Sequence, residues 1–147
     1  MAICGDLKHS RVAHSNVKLL TRLGAEIRLA GPPELVPDDF HGDGSIDAAV
    51  DGADAVMMLR IQRERLDEEF GDAPGEYLER YGLTDARMAK AARDAVVMHP
   101  GPINRGVEID GALADDPERS LIILQVEMGV AVRMACLDLL TAERLAP

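Results

Sequence analysis

The sequence predicts an α/β fold in three layers: a mostly parallel sheet with helices on both faces. Three observations carry that reading. Short apolar runs alternate with segments of helical periodicity along the chain. The runs are continuously apolar rather than alternating, as strands covered on both faces are. Each run gives way to a glycine, a proline or a charged exit before the next helix, the pattern left by crossovers between parallel strands. The architecture is therefore Rossmann-like, and in such sheets ligands bind outside the carboxyl ends of the strands.

Taken in order, residues 2–4 form a short apolar entry ending at Gly5-Asp6. Residues 12–23 read as a helix, with Leu19, Leu20 and Leu23 on one stripe and Gly24 as its stop. A strand over residues 26–30 closes at Gly31-Pro32-Pro33, and residues 38–44 make a polar, turn-rich surface loop. Ser45 is placed to cap a short helix through Val50, and residues 53–59 form the next strand. Residues 64–80 are charged and interrupted by Gly71, Pro74 and Gly75, which predicts a mobile loop with helical pieces. Thr84 opens a helix to about residue 92, residues 95–98 form a strand, and a last helix spans about residues 121–140.

A chain of 147 residues fits a single domain over 1–147, with neither repeats nor a linker. Apolar residues at 47% and charged residues at 29% describe a soluble globular protein, and no apolar run spans a bilayer. The net charge of −10 excludes a nucleic-acid-binding face and an anionic membrane surface as partners. Any site for an anionic ligand must gather its cations locally. Cys4 and Cys136 lie far apart in apolar segments and read as buried free thiols in a reducing cytoplasm. His9, His14, His41 and His99 have no metal-ligand spacing, and no dinucleotide, phosphate-loop or nucleophile-elbow motif occurs. The expectation is no metal and no cofactor.

Three strand exits hold candidate chemistry. After residue 4 comes Gly5-Asp6-Leu7-Lys8-His9-Ser10-Arg11, where Ser10 as N-cap sets Arg11 in the first helical turn. The helix dipole opposes a cation there by about 0.3–1 kcal/mol, and a bound carboxylate would resolve the conflict. The alternative is a solvated arginine or one paired with an aspartate. After Leu59 comes Arg60-Ile61-Gln62-Arg63-Glu64-Arg65, where extended geometry puts Arg60 and Gln62 on one side and Ile61 on the other. A guanidinium fork with an amide suits a carboxylate; a charged loop start is the competing reading. After Met98 comes His99-Pro100-Gly101-Pro102-Ile103-Asn104-Arg105-Gly106. Prolines remove amide donors and leave carbonyls, which suits an ammonium group, although a rigid turn without a ligand reads equally well.

These three segments, continued by Val12-Ala13-His14-Ser15-Asn16 and Val107-Glu108, resemble the catalytic chains of aspartate carbamoyltransferases. Their order and separation match, as does the late Gln125-x-x-x-Gly129-x-x-x-Arg133 helix, so the resemblance covers essentially the whole chain. It implies that Arg11, Arg60 and Gln62 bind the carboxylates of L-aspartate. It implies that the Gly101 carbonyl, beside a cis Pro102, orients the amine that attacks carbamoyl phosphate. Lys8, Arg65 and Glu108 would brace the loop between about residues 63 and 81. The resemblance implies no cofactor, catalysis by positioning and electrostatics, and a homotrimer when complete. It also exposes a departure: family chains are about twice as long, and the Ser-Thr-Arg-Thr motif of their carbamoyl-phosphate-binding half is absent. The chain is expected to be the aspartate-binding half, inactive alone. A non-catalytic aspartate-binding or assembly module remains open. An ornithine-type carbamoyltransferase domain disagrees with Arg60-Ile61-Gln62 and with His99-Pro100-Gly101-Pro102.

The last helix is apolar on nearly every face, and a helix of that kind is normally buried all round. One small sheet cannot cover it, so an exposed patch or an oligomer contact is expected, against the alternative of a central helix within the domain.

Overall fold

The computed structural model describes residues 1–40, 44–61 and 74–142. Four strands, β1 (Ala2–Cys4), β2 (Arg28–Ala30), β3 (Ala55–Met58) and β4 (Val96–Met98), form one sheet in the order β2-β1-β3-β4. Every pairing is parallel, with Cys4 opposite Ala30 on one side and opposite Met58 on the other. The chain steps from β1 outward to β2, then crosses back to β3 on the far side of β1. That reversal opens a crevice between the exits of β1 and β3, the place where an open parallel sheet receives ligands.

The two-residue period of the strands divides the core. Ala2, Cys4, Ala30, Val56, Met58 and Val97 point to one face, covered by α2 (Ile46–Val50), α4 (Asp85–Met88) and α5 (Gly111–Ala114). Ile3, Leu29, Met57 and Leu59 point to the other, covered by α1 (Arg11–Arg22) and by Val36 and Phe40. A smaller cluster of Leu35, Ile61, Tyr77 and Val107 seats α3 (Pro74–Tyr81) beside the strand exits. Helices on both faces of a parallel sheet follow from the continuously apolar strands.

Caps explain where the helices begin. Ser10 and Ser45 accept the backbone N–H of Ala13 and Ala48 at 3.1 Å each, and Thr84 accepts that of Arg87 at 3.4 Å. Gly24, at φ +85°, ends α1. The helix expected to run from Thr84 to residue 92 stops at Met88, because the Lys90 and Ala91 amides turn back three residues and the Ala92 amide bonds Ala53 O. Residues 74–81, which fall almost wholly in the segment expected as a mobile loop with helical pieces, form one such helix, anchored by buried Tyr77. Residues 62–73 otherwise lie outside the described segments. The helix α5, capped by Asp110, escaped the sequence reading because four residues show no period.

Of the two apolar stripes, the one on α1 is not where the sequence reading put it, and the one on the last helix is uncovered as expected. On α1 the core-facing residues are Ala13, Val12 and Val17, while Leu19 and Leu23 are 57% and 72% exposed. The last helix, α6 (Ile122–Thr141), buries only Ile122 against the sheet. Ten of its large apolar side chains, from Ile123 to Leu140, are 51–78% exposed. The exposed patch is therefore present, and a central helix within this domain is ruled out. For the same reason Cys136, expected as a buried thiol, is exposed on α6, while Cys4 is buried in β1.

Candidate functional site at the β1, β3 and β4 exits

The β1 exit is built around a buried carboxylate. Gly5 takes φ +122° so that its N–H can reach Ala30 O at 2.9 Å while Leu59 N reaches Cys4 O at 2.8 Å, tying the exit to both neighbouring strands. Asp6, only 3% exposed, accepts both the backbone N–H of His9 at 3.1 Å and its ring Nδ1–H at 2.9 Å. This small turn delivers Ser10 to its cap position and makes Arg11 the first residue of α1, exposed and with no acidic residue in that turn. Lys8 is also exposed, held through its backbone N–H to Leu35 O at 2.8 Å.

At the β3 exit Arg60 is exposed and Ile61 is fully buried, which sets those two on opposite sides. Gln62 and Arg65 lie outside the described residues. At the β4 exit His99 is fully buried, Gly101 stands at φ +72°, and the Gly101–Pro102 peptide bond is cis. His99 Nδ1 accepts the Gly101 N–H at 2.9 Å, and the His99 N–H donates to Gln125 Oε1 of α6 at 3.1 Å. Asn104 donates its side-chain N–H to Ile61 O at 2.8 Å and its backbone N–H to Glu108 Oε1, so the β3 and β4 exits are stitched together. Glu108, fully buried, also stands 3.4 Å from His99 Nε2. Burial first, then the Glu108 carboxylate, push the Tyr77 phenol above its ordinary range.

All three exits line one cleft of about 310 Å³, bounded by Asp6, His9, Ser10, Val12, Leu59, Arg60, Pro100 and Gly101. A second cleft of about 410 Å³ adjoins it, sharing His9 and Ser10 and adding Lys8, Arg11, His14 and Lys18. The structure thus brings Arg60 and Gly101 to one cavity and sets Arg11 and Lys8 in the cavity next to it. Pro102 follows Gly101 without lining the cleft itself. Glu108 lies beneath the floor, paired with His99 rather than with exposed Lys8. Among the described residues no group of three His, Cys, Asp or Glu is placed to hold a metal. The sequence reading assigned no role to Asp6, His9, His99, Asn104 or Gln125. Their signal was available, since a histidine directly after a buried strand must find polar partners.

Cations and a helix start on one side suit an anionic group, and a proline-rimmed carbonyl turn on the other suits an ammonium group. The class this defines is an α/β domain with a candidate ligand site at its switch point. Residues 1–140 match the family described as aspartate/ornithine carbamoyltransferase, Asp/Orn binding domain, and the chain belongs to that family. It is 57% identical to the aspartate carbamoyltransferase catalytic subunit of Rhizorhabdus wittichii over 98% of its own length and 47% of the relative's. For the corresponding subunit of Novosphingobium aromaticivorans the figures are 56%, 96% and 43%. The chain therefore spans about half the length of the curated relatives it matches. Aspartate transcarbamoylase from Trypanosoma cruzi, solved with carbamoyl aspartate and phosphate, superposes with a TM-score of 0.74 at 28% identity, over 92% of this chain and 47% of that one. The ornithine carbamoyltransferase of Pyrococcus furiosus shares the fold, with a TM-score of 0.75 at 23% identity over 93% of this chain and 48% of that one.

Proposed function

We propose that this domain binds L-aspartate in the switch-point cleft and supplies it to a carbamoyl-phosphate-binding half, as one part of an aspartate carbamoyltransferase. The observation that carries the reading is the convergence of Arg60, the capped start of α1 and the Gly101 turn on one cleft. Arg60 and Gln62 take the side-chain carboxylate, Arg11 takes carboxylate oxygens from the adjoining side, and the Gly101 carbonyl beside Pro102 receives the amine. In the reaction the deprotonated amine attacks the carbonyl carbon of carbamoyl phosphate, a C–N bond forms, and the C–O bond breaks to release phosphate, which leaves with the electron pair and takes up the proton the nitrogen loses. This half contributes position and charge. Lys8, Arg65 and Glu108 brace the segment between about residues 63 and 81, a role supported for Glu108 by its neighbour Val107, which packs in one cluster with Tyr77.

A phosphate-binding half completes the site, and the domain alone is inactive. Supporting this are its share of the relatives' length and the uncovered α6, whose apolar surface runs round the whole helix. The complete enzyme is a homotrimer in the cytoplasm. Among the described residues no helix is long and apolar enough to cross a membrane.

An NMR titration of the chain with L-aspartate, with L-ornithine as control, tests the binding claim. Saturable shifts at the Arg11, Arg60 and Gly101 amides with L-aspartate alone are expected. Equal shifts with both amino acids, or with neither, would remove aspartate from this cleft. Carbamoylaspartate formed by the pure chain would overturn its inactivity.

A further inference from the structure

Beneath the site lie two polar side chains that touch no ligand position. His99 and Glu108 are both fully buried, 3.4 Å apart, and their approach is not aligned as a hydrogen bond. His99 Nε2 and Glu108 Oε2 consequently lack a hydrogen-bonding partner. Burying such groups is costly, and an apolar pair would fill the same space more cheaply. What the pair does for its surroundings explains its presence. Because Nδ1 accepts the Gly101 N–H at 2.9 Å, the ring proton sits on Nε2, facing Glu108. Glu108 in turn holds Asn104, which bonds Ile61 O at the β3 exit. The His99 ring is thus fixed from below and grips the turn from inside.

We propose that His99 and Glu108 are positioning residues for the amine of the bound amino acid. Pro102 has no N–H, and His99 withdraws the Gly101 N–H from the cleft. The polar group that Gly101 presents to a ligand is then its carbonyl, an acceptor matched to an ammonium or amine and mismatched to a carboxylate. The inference rests on aspartate binding in this cleft and adds how the site tells the amine end of its ligand from the carboxylate ends.

The test uses the chain itself with two ligands, L-aspartate and succinate, which has both carboxylates and no amine. Affinities are read by NMR titration for the wild type, His99→Leu and His99→Asn, whose Oδ1 falls where Nδ1 was. His99→Leu is expected to weaken L-aspartate by about tenfold, the loss of one charge-assisted hydrogen bond, and to leave succinate within about twofold. His99→Asn is expected to restore L-aspartate to within about threefold of wild type, since an acceptor for Gly101 is back. Equal weakening of both ligands marks a merely structural role and overturns the proposal, as does a leucine variant that binds L-aspartate like wild type. Should the leucine variant not fold, a folded His99→Asn that has lost L-aspartate but kept succinate overturns it. If the wild type binds neither ligand, the aspartate reading fails. Gly101 amide exchange then decides the pair: slower in wild type than in His99→Leu supports the grip, and equal rates refute it.

Discussion

Replacing Gly31 by alanine would strike the site through its backbone without touching any side chain in it. A Cβ at position 31 falls 2.3 Å from the Gly5 carbonyl oxygen, where real contacts do not come closer than 3.0 Å. The two exits must separate by about 0.7 Å, and the obstacle is main chain, so no rotamer change relieves it. Gly5 is held on three sides, by its N–H to Ala30 O at 2.9 Å, by Leu7 N to its own carbonyl at 3.0 Å, and by the Leu59 backbone that leaves no room beneath it. Overpacking of this kind costs about 1–3 kcal/mol, and the rigid neighbours argue for the upper end. The displaced segment is the one that carries Asp6, His9, Ser10 and Arg11. Urea denaturation followed by circular dichroism is expected to show a lower midpoint at unchanged slope, and L-aspartate affinity is expected to fall with it. An unaltered midpoint with full binding would refute the claim that the β1 and β2 exits are in backbone contact.

Other perturbations separate the parts of the structure. Ser10→Ala removes the cap of α1 and is expected to cost about 1 kcal/mol, with faster amide exchange confined to the first turn and weaker L-aspartate binding. Arg87 donates to Leu78 O at 3.0 Å, Gly82 O at 2.6 Å and Glu79 O at 2.6 Å, gathering the carbonyls at the end of α3. Arg87→Ala should cost about 1–3 kcal/mol and speed exchange in residues 74–81 ahead of the rest. The hydrogen bond from Lys90 is the largest of the influences holding the Asp47 carboxyl below 3.8. Its stabilisation is therefore present above the ordinary carboxylate range and is lost as pH falls through the depressed value. Lys90→Met should lower the urea midpoint at neutral pH and match wild type in strong acid; an equal deficit at both would sink the assignment. Glutamine at Val126, Val130 and Met134 should reduce hydrophobic-dye binding and self-association without lowering the thermal midpoint, because all three side chains are more than half exposed.

The strands were legible because parallel sheets leave unbroken apolar runs, and the capping serines because their mechanism is local. The convergence of three separated exits was legible for the same reason, since a doubly wound sheet has only one edge at which ligands collect. Helix facing was not. On α1 the large residues Leu19 and Leu23 lie outside, and small Ala13 packs against the sheet, where a close approach favours it. Volume misleads when a neighbouring surface is missing from view. A helical piece within residues 64–80 was legible, but its start was not: Pro74 and Gly75, which look like interruptions, stand in the first turn of α3, where they are tolerated. The supports of the site were hidden because their contacts are tertiary. Nothing local says that Asn104 reaches Ile61, or that Gln125, 26 residues from His99, bonds its amide.

The charge of the chain sharpens the reading of the site. With a net −10, a dicarboxylate approaches against the long-range field, so attraction must come from groups within a Debye length, about 8 Å in physiological salt. The clefts meet that condition: Arg60 lines one, Lys8, Arg11 and Lys18 line the other, and the amides at the start of α1 lie between them. Among the described residues Asp6 is the one carboxylate lining either cavity, and its Oδ1 is turned to His9. Arg11 at the first position of α1 is disfavoured by the helix dipole, and no acidic residue in that turn offsets it. A bound carboxylate removes the conflict by pairing with both the arginine and the dipole, so the domain gains most from the anion where it is least content without one. Added salt should therefore weaken L-aspartate only modestly, since the deciding contacts are close, while slowing none of the local folding that Ser10 and Asp6 control.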